Sequence, residues 1–82
     1  MEVQRLISWY RREDEELEGE VNIDFISIEV LAKIFNPPED DPLMYNFYWV
    51  EREEAEELKK YLEFDFKFDK YIYQVECFQA GT

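Results

Sequence analysis

The stretch Leu17-Glu18-Gly19-Glu20-Val21-Asn22-Ile23-Asp24-Phe25 decides the fold. Its apolar or small residues fall on odd positions and its polar residues on even ones, the period of two that turns one side of a β-strand to a core and the other to water. Gly19 breaks the apolar row, and a glycine inside a strand marks a bulge or the close approach of another element. Immediately upstream, Arg11-Arg12-Glu13-Asp14-Glu15-Glu16 is polar and of hairpin-loop length, and Val3 to Tyr10 before it is mostly apolar or β-branched. The two runs read as an antiparallel hairpin.

Beyond Phe25 the period changes. Ser27 can cap a helix, because its hydroxyl accepts from the free amides of a first turn, and Ile28, Leu31 and Phe35 then share a face with Ile34 beside them. Asn36 tolerates the left-handed C-terminal position, and Pro37-Pro38 cannot continue the helix. Pro37-Pro38-Glu39-Asp40-Asp41-Pro42 is a proline-stiffened loop with adjacent carboxylates, expected to lie in solvent. Leu43 to Val50 is dense in aromatic residues and reads as a strand. Because Phe47, Tyr48, Trp49 and Val50 are consecutive, either both its faces are covered or one presents aromatics outward.

A second helix is expected from about Glu51 to about Leu62, with Ala55, Leu58 and Leu62 inward and Tyr61 at the shoulder. Glu51, Glu53 and Glu54 complement its positive end, Lys59 and Lys60 its negative end, and Glu56 stands four residues before Lys60. Phe64, Phe66 and Phe68 then alternate on even positions, whereas Tyr71, Tyr73, Val75 and Cys77 alternate on odd ones. The slip at Asp69-Lys70 marks a turn or bulge before a last strand from Tyr71 to Phe78. Ala80-Gly81-Thr82 is expected to fray. The order β-β-α-β-α-β implies an α+β fold, one mainly antiparallel sheet with both helices packed on one face, in a single small acidic domain over residues 1–82.

At 82 residues the chain buries only about 60% of its unfolded surface, so a stable fold needs rich apolar content. The 46% hydrophobic and 18% aromatic residues meet that need and exclude a disordered chain. Charges interrupt every apolar run, so no membrane span is expected. Nine basic against 21 acidic residues, a net charge of -12, argue against direct binding to a nucleic-acid backbone and allow a basic protein partner. The start, Met1-Glu2-Val3-Gln4-Arg5, lacks the charged and apolar regions of a secretory leader, and a reducing cytoplasm is the expected compartment.

The absence of histidine removes the commonest general base and both histidine-dependent nucleophilic arrangements. Cys77 is the lone cysteine, so neither a disulfide framework nor a Cys/His zinc site can form, and its phase with Tyr73 and Val75 reads as a small buried residue. Glu39, Asp40 and Asp41 lack the spacing, central glycine and distal glutamate of a calcium loop. Two glycines build no phosphate cradle. Tyr45, Phe47, Tyr48 and Trp49 have no Lys or Arg among them, unlike a stacking platform for single strands. No enzyme activity, cofactor or metal is expected.

What remains is an acidic, proline-rigid loop running into an aromatic strand. Glu39, Asp40 and Asp41 with Tyr45, Tyr48 and Trp49 form the candidate protein-binding set, since tyrosine and tryptophan anchor interfaces and fixed carboxylates steer a basic partner. Two blander readings stand beside it: the carboxylates keep an aromatic-rich protein in solution, and Tyr48 and Trp49 belong to the core. A further alternative is a homodimer formed when the aromatic strand pairs with its copy.

The hairpin, Leu31-Ala32-Lys33-Ile34-Phe35, the run Pro38-Glu39-Asp40-Asp41-Pro42-Leu43-Met44-Tyr45 and the tail Asp69-Lys70-Tyr71-Ile72-Tyr73-Gln74-Val75-Glu76 together resemble a bacterial family of small acidic α+β domains without an assigned function. The resemblance spans nearly the whole chain and implies no catalytic residues. In size and charge alone the chain is also similar to the immunity proteins that accompany bacterial toxins, which cover the surface of a basic nuclease.

Overall fold

The computed structural model describes residues 2–80. Its elements follow in the order β1 (Glu2–Arg11), β2 (Leu17–Asn22), α1 (Ile28–Phe35), β3 (Tyr48–Val50), α2 (Arg52–Leu58) and β4 (Tyr71–Ala80). The strands form one four-stranded antiparallel sheet in the order β2-β1-β4-β3. β1 and β4 pair along their whole length, from Glu2 opposite Ala80 to Arg11 opposite Tyr71. Ala80 therefore belongs to the sheet; Gly81 and Thr82, expected to fray with it, lie outside the described residues.

The β1–β2 register slips between Trp9 and Tyr10: Trp9 faces Gly19 and Tyr10 faces Leu17, leaving Glu18 as the extra residue of a bulge. Gly19 explains the close approach, because a Cβ there would stand 2.4 Å from the Trp9 ring. β2 stops at Asn22 rather than running through Phe25. Asp24 takes the Arg5 backbone N–H at 2.8 Å and gives its own to the Asn22 side chain at 2.8 Å, turning the chain so that Ile23 is buried and Phe25 exposed.

α1 has the bounds its sequence implies. Ser27 Oγ accepts from the Val30 N–H at 3.3 Å, and Asn36, at φ 49°, closes the helix with its N–H on the Ala32 carbonyl at 2.9 Å. α2 is shorter than expected. Its first turn is held by the Glu51 N–H on the Glu54 carboxylate at 2.9 Å, but after Leu58 the chain tightens into i→i+3 bonds from Lys60 to Glu57 and from Tyr61 to Leu58. The ion pairs form three residues apart, Glu56 with Lys59 at 3.6 Å and Glu57 with Lys60 at 3.1 Å, in place of Glu56 with Lys60.

Register assigns the two faces of the sheet. Ile7, Val21, Val75 and Tyr48 share one row, and Trp9, Gly19, Tyr73 and Val50 the next. This face meets Leu31 of α1 and Ala55 and Leu58 of α2 in the core, so both helices lie on it. Phe64, Phe66 and Phe68 alternate as their spacing implies, yet they join no strand. Their segment crosses the same face, with ring centroids 5.9, 4.9 and 5.4 Å from Tyr73, and the Lys67 N–H donates to the Tyr73 hydroxyl at 2.8 Å. The expected turn before the last strand is present: Lys70 and Tyr71 both donate to the Lys67 carbonyl. Among the described residues no helix is long and apolar enough to cross a membrane.

Candidate functional site

The acidic loop is organised from within by one of its own carboxylates. Asp41 accepts the backbone N–H of Tyr45 at 2.8 Å, that of Asn46 at 3.1 Å and the hydroxyl of Tyr48. Only 5% of Asp41 is exposed, which corrects the expectation that the whole loop lies in solvent. Three donors on one carboxylate stabilise its charged form and substitute for water. The Tyr48 hydroxyl and the two backbone N–H groups hold Asp41 below the usual aspartate range against the opposing effect of burial, while burial and Asp41 push Tyr48 up to about 12.

This turn also shortens the third strand. Met44 adopts φ 56° and is fully buried, so the backbone from Leu43 to Phe47 coils around Asp41 and ladder pairing begins only at Tyr48. Inside and outside then separate along the aromatic run. Met44, Tyr48 and Val50 turn to the core, Tyr48 packing 6.2 Å from Phe35, whereas Tyr45, Phe47 and Trp49 are exposed, with Phe47 edge-on to Trp49 at 5.2 Å. Of the candidate set, Glu39, Asp40, Tyr45 and Trp49 are at the surface, and Asp41 and Tyr48 hold the loop together.

Trp49 points to the face of the sheet that carries no helix. Cross-strand pairing places Glu20, Ser8, Gln74 and Trp49 in one row spanning the four strands, flanked by the row Leu17, Tyr10, Ile72 and by Asn22, Leu6, Glu76. At its centre the Tyr10 hydroxyl donates to Glu76 at 2.8 Å, and the Gln74 amide donates to Glu76 at 2.8 Å and to the Tyr10 oxygen at 3.3 Å. Burial raises the Glu76 pKa, but the hydrogen bonds from Gln74, Tyr10 and Ser8 outweigh it and hold the carboxyl below its ordinary value. Burial and the bond to Glu76 raise Tyr10. Leu17, Trp49 and Phe78 are 55%, 52% and 46% exposed on this face. None of its described strand residues is Lys or Arg.

Sequence reasoning missed Tyr10, Gln74 and Glu76. The available signal was the even phase of the last strand, where Ile72 and Phe78 bracket Gln74 and Glu76 opposite an odd phase that is itself apolar. A strand with apolar residues on both phases puts apolar side chains on both faces of the sheet. Cys77, opposite Arg5 in the register, is half-buried rather than fully buried. Among the described residues no three Cys, Asp or Glu side chains converge as metal ligands do.

Fold and site together define an acidic α+β domain whose single antiparallel sheet is covered on one face and open and aromatic on the other, with no Lys or Arg among the described strand residues that face it. The chain belongs to the family described as a domain of unknown function, DUF7683, whose profile matches residues 4–76, consistent with the resemblance to a family without assigned function. No curated protein matches the chain.

Proposed function

We propose that this domain is a non-enzymatic interaction module that binds a basic protein on the open face of its sheet. The observation that carries the reading is the make-up of that face: exposed Leu17, Trp49 and Phe78 beside Glu20 and Glu76, with no cation on the same strand rows. Aromatic anchors supply most of the binding energy of an interface, and a surface of one charge speeds encounter with its opposite. Glu39 and Asp40, exposed on the loop leading to β3, add to the field. Tyr10, Gln74 and Glu76 direct their polar atoms at one another, as a supporting network does, rather than at a substrate. Size and charge favour the form in which a bacterial immunity protein covers a basic toxin in the cytoplasm.

A second copy docked through β3 is the rival occupant. β3 is an edge strand, but its three residues offer few free backbone groups, and two chains each of charge -12 repel. The test is complex formation with a basic protein captured from the source cell. The expected result is a 1:1 complex whose association slows as ionic strength rises from about 0.1 to about 1 M, where screening shortens from ~10 to ~3 Å. It is lost in the double variant Leu17→Lys/Phe78→Lys and kept in Phe25→Lys, an exposed residue off this face. Salt-independent association, or a homodimer in sedimentation with no complex, overturns the reading.

A further inference from the structure

A pocket of about 300 Å3 opens on the uncovered face, lined by Tyr10, Glu15, Trp49, Ile72 and Gln74. Its volume sits at the lower bound for a ligand cavity and suits one long side chain rather than a cofactor. The polarity of its lining is one-sided. The Tyr10 hydroxyl proton is directed to Glu76, and Gln74 Nε2 to Glu76 and Tyr10. Gln74 is thereby oriented so that its other end, Oε1, is an acceptor. Apart from the Trp49 indole N–H, what the pocket offers a visitor is acceptor oxygens and aromatic surface.

Within the lining the one charge is that of Glu15; Arg12, its guanidinium donating to the Phe68 carbonyl at 2.6 Å, lines a neighbouring cleft with Trp49 and Ile72. Glu15 stands on the pocket rim in the left-handed region at φ 60°, a conformation unfavourable for a residue with a Cβ, and its N–H is fixed on the Arg11 carbonyl at 2.7 Å. The Arg11 guanidinium pairs with Asp14 at 2.6 Å and reaches Glu16 at 3.5 Å and Glu18 at 3.8 Å, and among the described residues no cation pairs with Glu15. A carboxylate, two aromatic rings, an aliphatic floor and an amide oxygen select a group that is positive, flat and purely a hydrogen-bond donor. Guanidinium is that group: it carries five N–H donors and no acceptor, is weakly hydrated and stacks on aromatic rings, whereas an ammonium is compact and strongly hydrated.

We infer that this pocket receives an arginine side chain of the partner protein, held between Trp49 and Tyr10 with its charge met by Glu15. The inference rests on the reading that the open face binds a basic protein. It is tested with N-acetyl-arginine amide, its lysine counterpart and its uncharged citrulline counterpart, following the Trp49 indole and Ile72 methyl signals by NMR. The arginine probe shifts both signals saturably, the lysine probe binds roughly two- to five-fold more weakly and the citrulline probe does not bind. Glu15→Gln weakens arginine binding by a similar factor, and Trp49→Leu abolishes the saturable Ile72 shift while the rest of the spectrum stays native. Equal binding of arginine and citrulline or of arginine and lysine, or shifts that never saturate and spread over exposed carboxylates, overturns the inference. If Glu15→Gln and Trp49→Leu bind the captured basic protein like wild type while Leu17→Lys/Phe78→Lys does not, the docking face stands and the arginine pocket falls.

Discussion

On adjacent residues of the same strand, the two faces of the sheet use their side chains in opposite ways. Tyr73 is 2% exposed beneath Phe64, Phe66 and Phe68, while Gln74, next in the chain, opens on the other face and bonds to Tyr10 and Glu76. One face gains stability by excluding water from aromatic rings. The other places polar groups among apolar ones and satisfies them laterally, which leaves Trp49, Leu17 and Phe78 uncovered. That uncovered apolar set is what the docking proposal rests on.

The contrast is broken most sharply at its centre. Tyr73→Ala removes the ring around which the phenylalanines pack and the acceptor of the Lys67 N–H, and should cost about 3–5 kcal/mol in denaturant unfolding. A loss below about 1 kcal/mol would show that the draped segment, not Tyr73, holds this face. Gly19→Val follows at about 1–3 kcal/mol, because its side chain meets the Trp9 ring. Trp9→Leu in the same chain should recover part of that loss, and strict additivity would remove the clash as its cause.

Smaller again is the dependence on pH at the Asp41–Tyr48 pair. Tyr48 titrates near 12 in the folded protein against 10.0 for a free tyrosine, so below pH 10 both states are protonated and its stabilisation is complete. Between pH 10 and about 12 only the unfolded chain ionises, and stability falls across that window. At the acid end the sign reverses: Asp41 is depressed, so its contribution is present above the ordinary aspartate value of 3.8 and is lost as pH falls through its lower folded value. Tyr48→Phe should flatten the alkaline limb in thermal melts recorded over pH; an unchanged limb would assign it to other tyrosines. The smallest effect sharpens the comparison from the other side. Trp49→Ser and Leu17→Ser should each change stability by less than about 0.5 kcal/mol, and a larger loss would make the open face part of the fold.

The order of elements was legible because each rests on local chemistry: the alternation of β2, the Ser27 and Asn36 caps of α1, and the phase slip before β4. What was not legible depended on tertiary neighbours. Nothing local distinguishes Asp41 from Glu39 and Asp40; only the path of residues 42–48 puts the Tyr45, Asn46 and Tyr48 donors around it. The alternation of Phe64, Phe66 and Phe68 is plain in the sequence, yet period two identifies a face and not a hydrogen-bonding partner, and here the segment lies across the sheet, partly buried against the core, instead of joining it. Of the candidate set, Trp49 was recognisable from composition. Its companions Tyr10, Gln74 and Glu76 were not, because the pairing of β1 with β4 that unites them joins distant parts of the sequence.

That pairing also governs when the protein can fold. The two central strands are the first and last of the described elements, so during synthesis β1 has only β2 as a strand neighbour until β4 has been made. An isolated two-stranded hairpin is marginal in water, and the β1–β4 contacts that complete the sheet close only when the whole segment between Arg11 and Tyr71 is drawn in. Assembly of the sheet is therefore a late, cooperative event with high contact order, and it places the molecule among the slower folders of its size. Linking β4 directly to β1 and opening the chain elsewhere would turn this distant pairing into a local hairpin within the same sheet order.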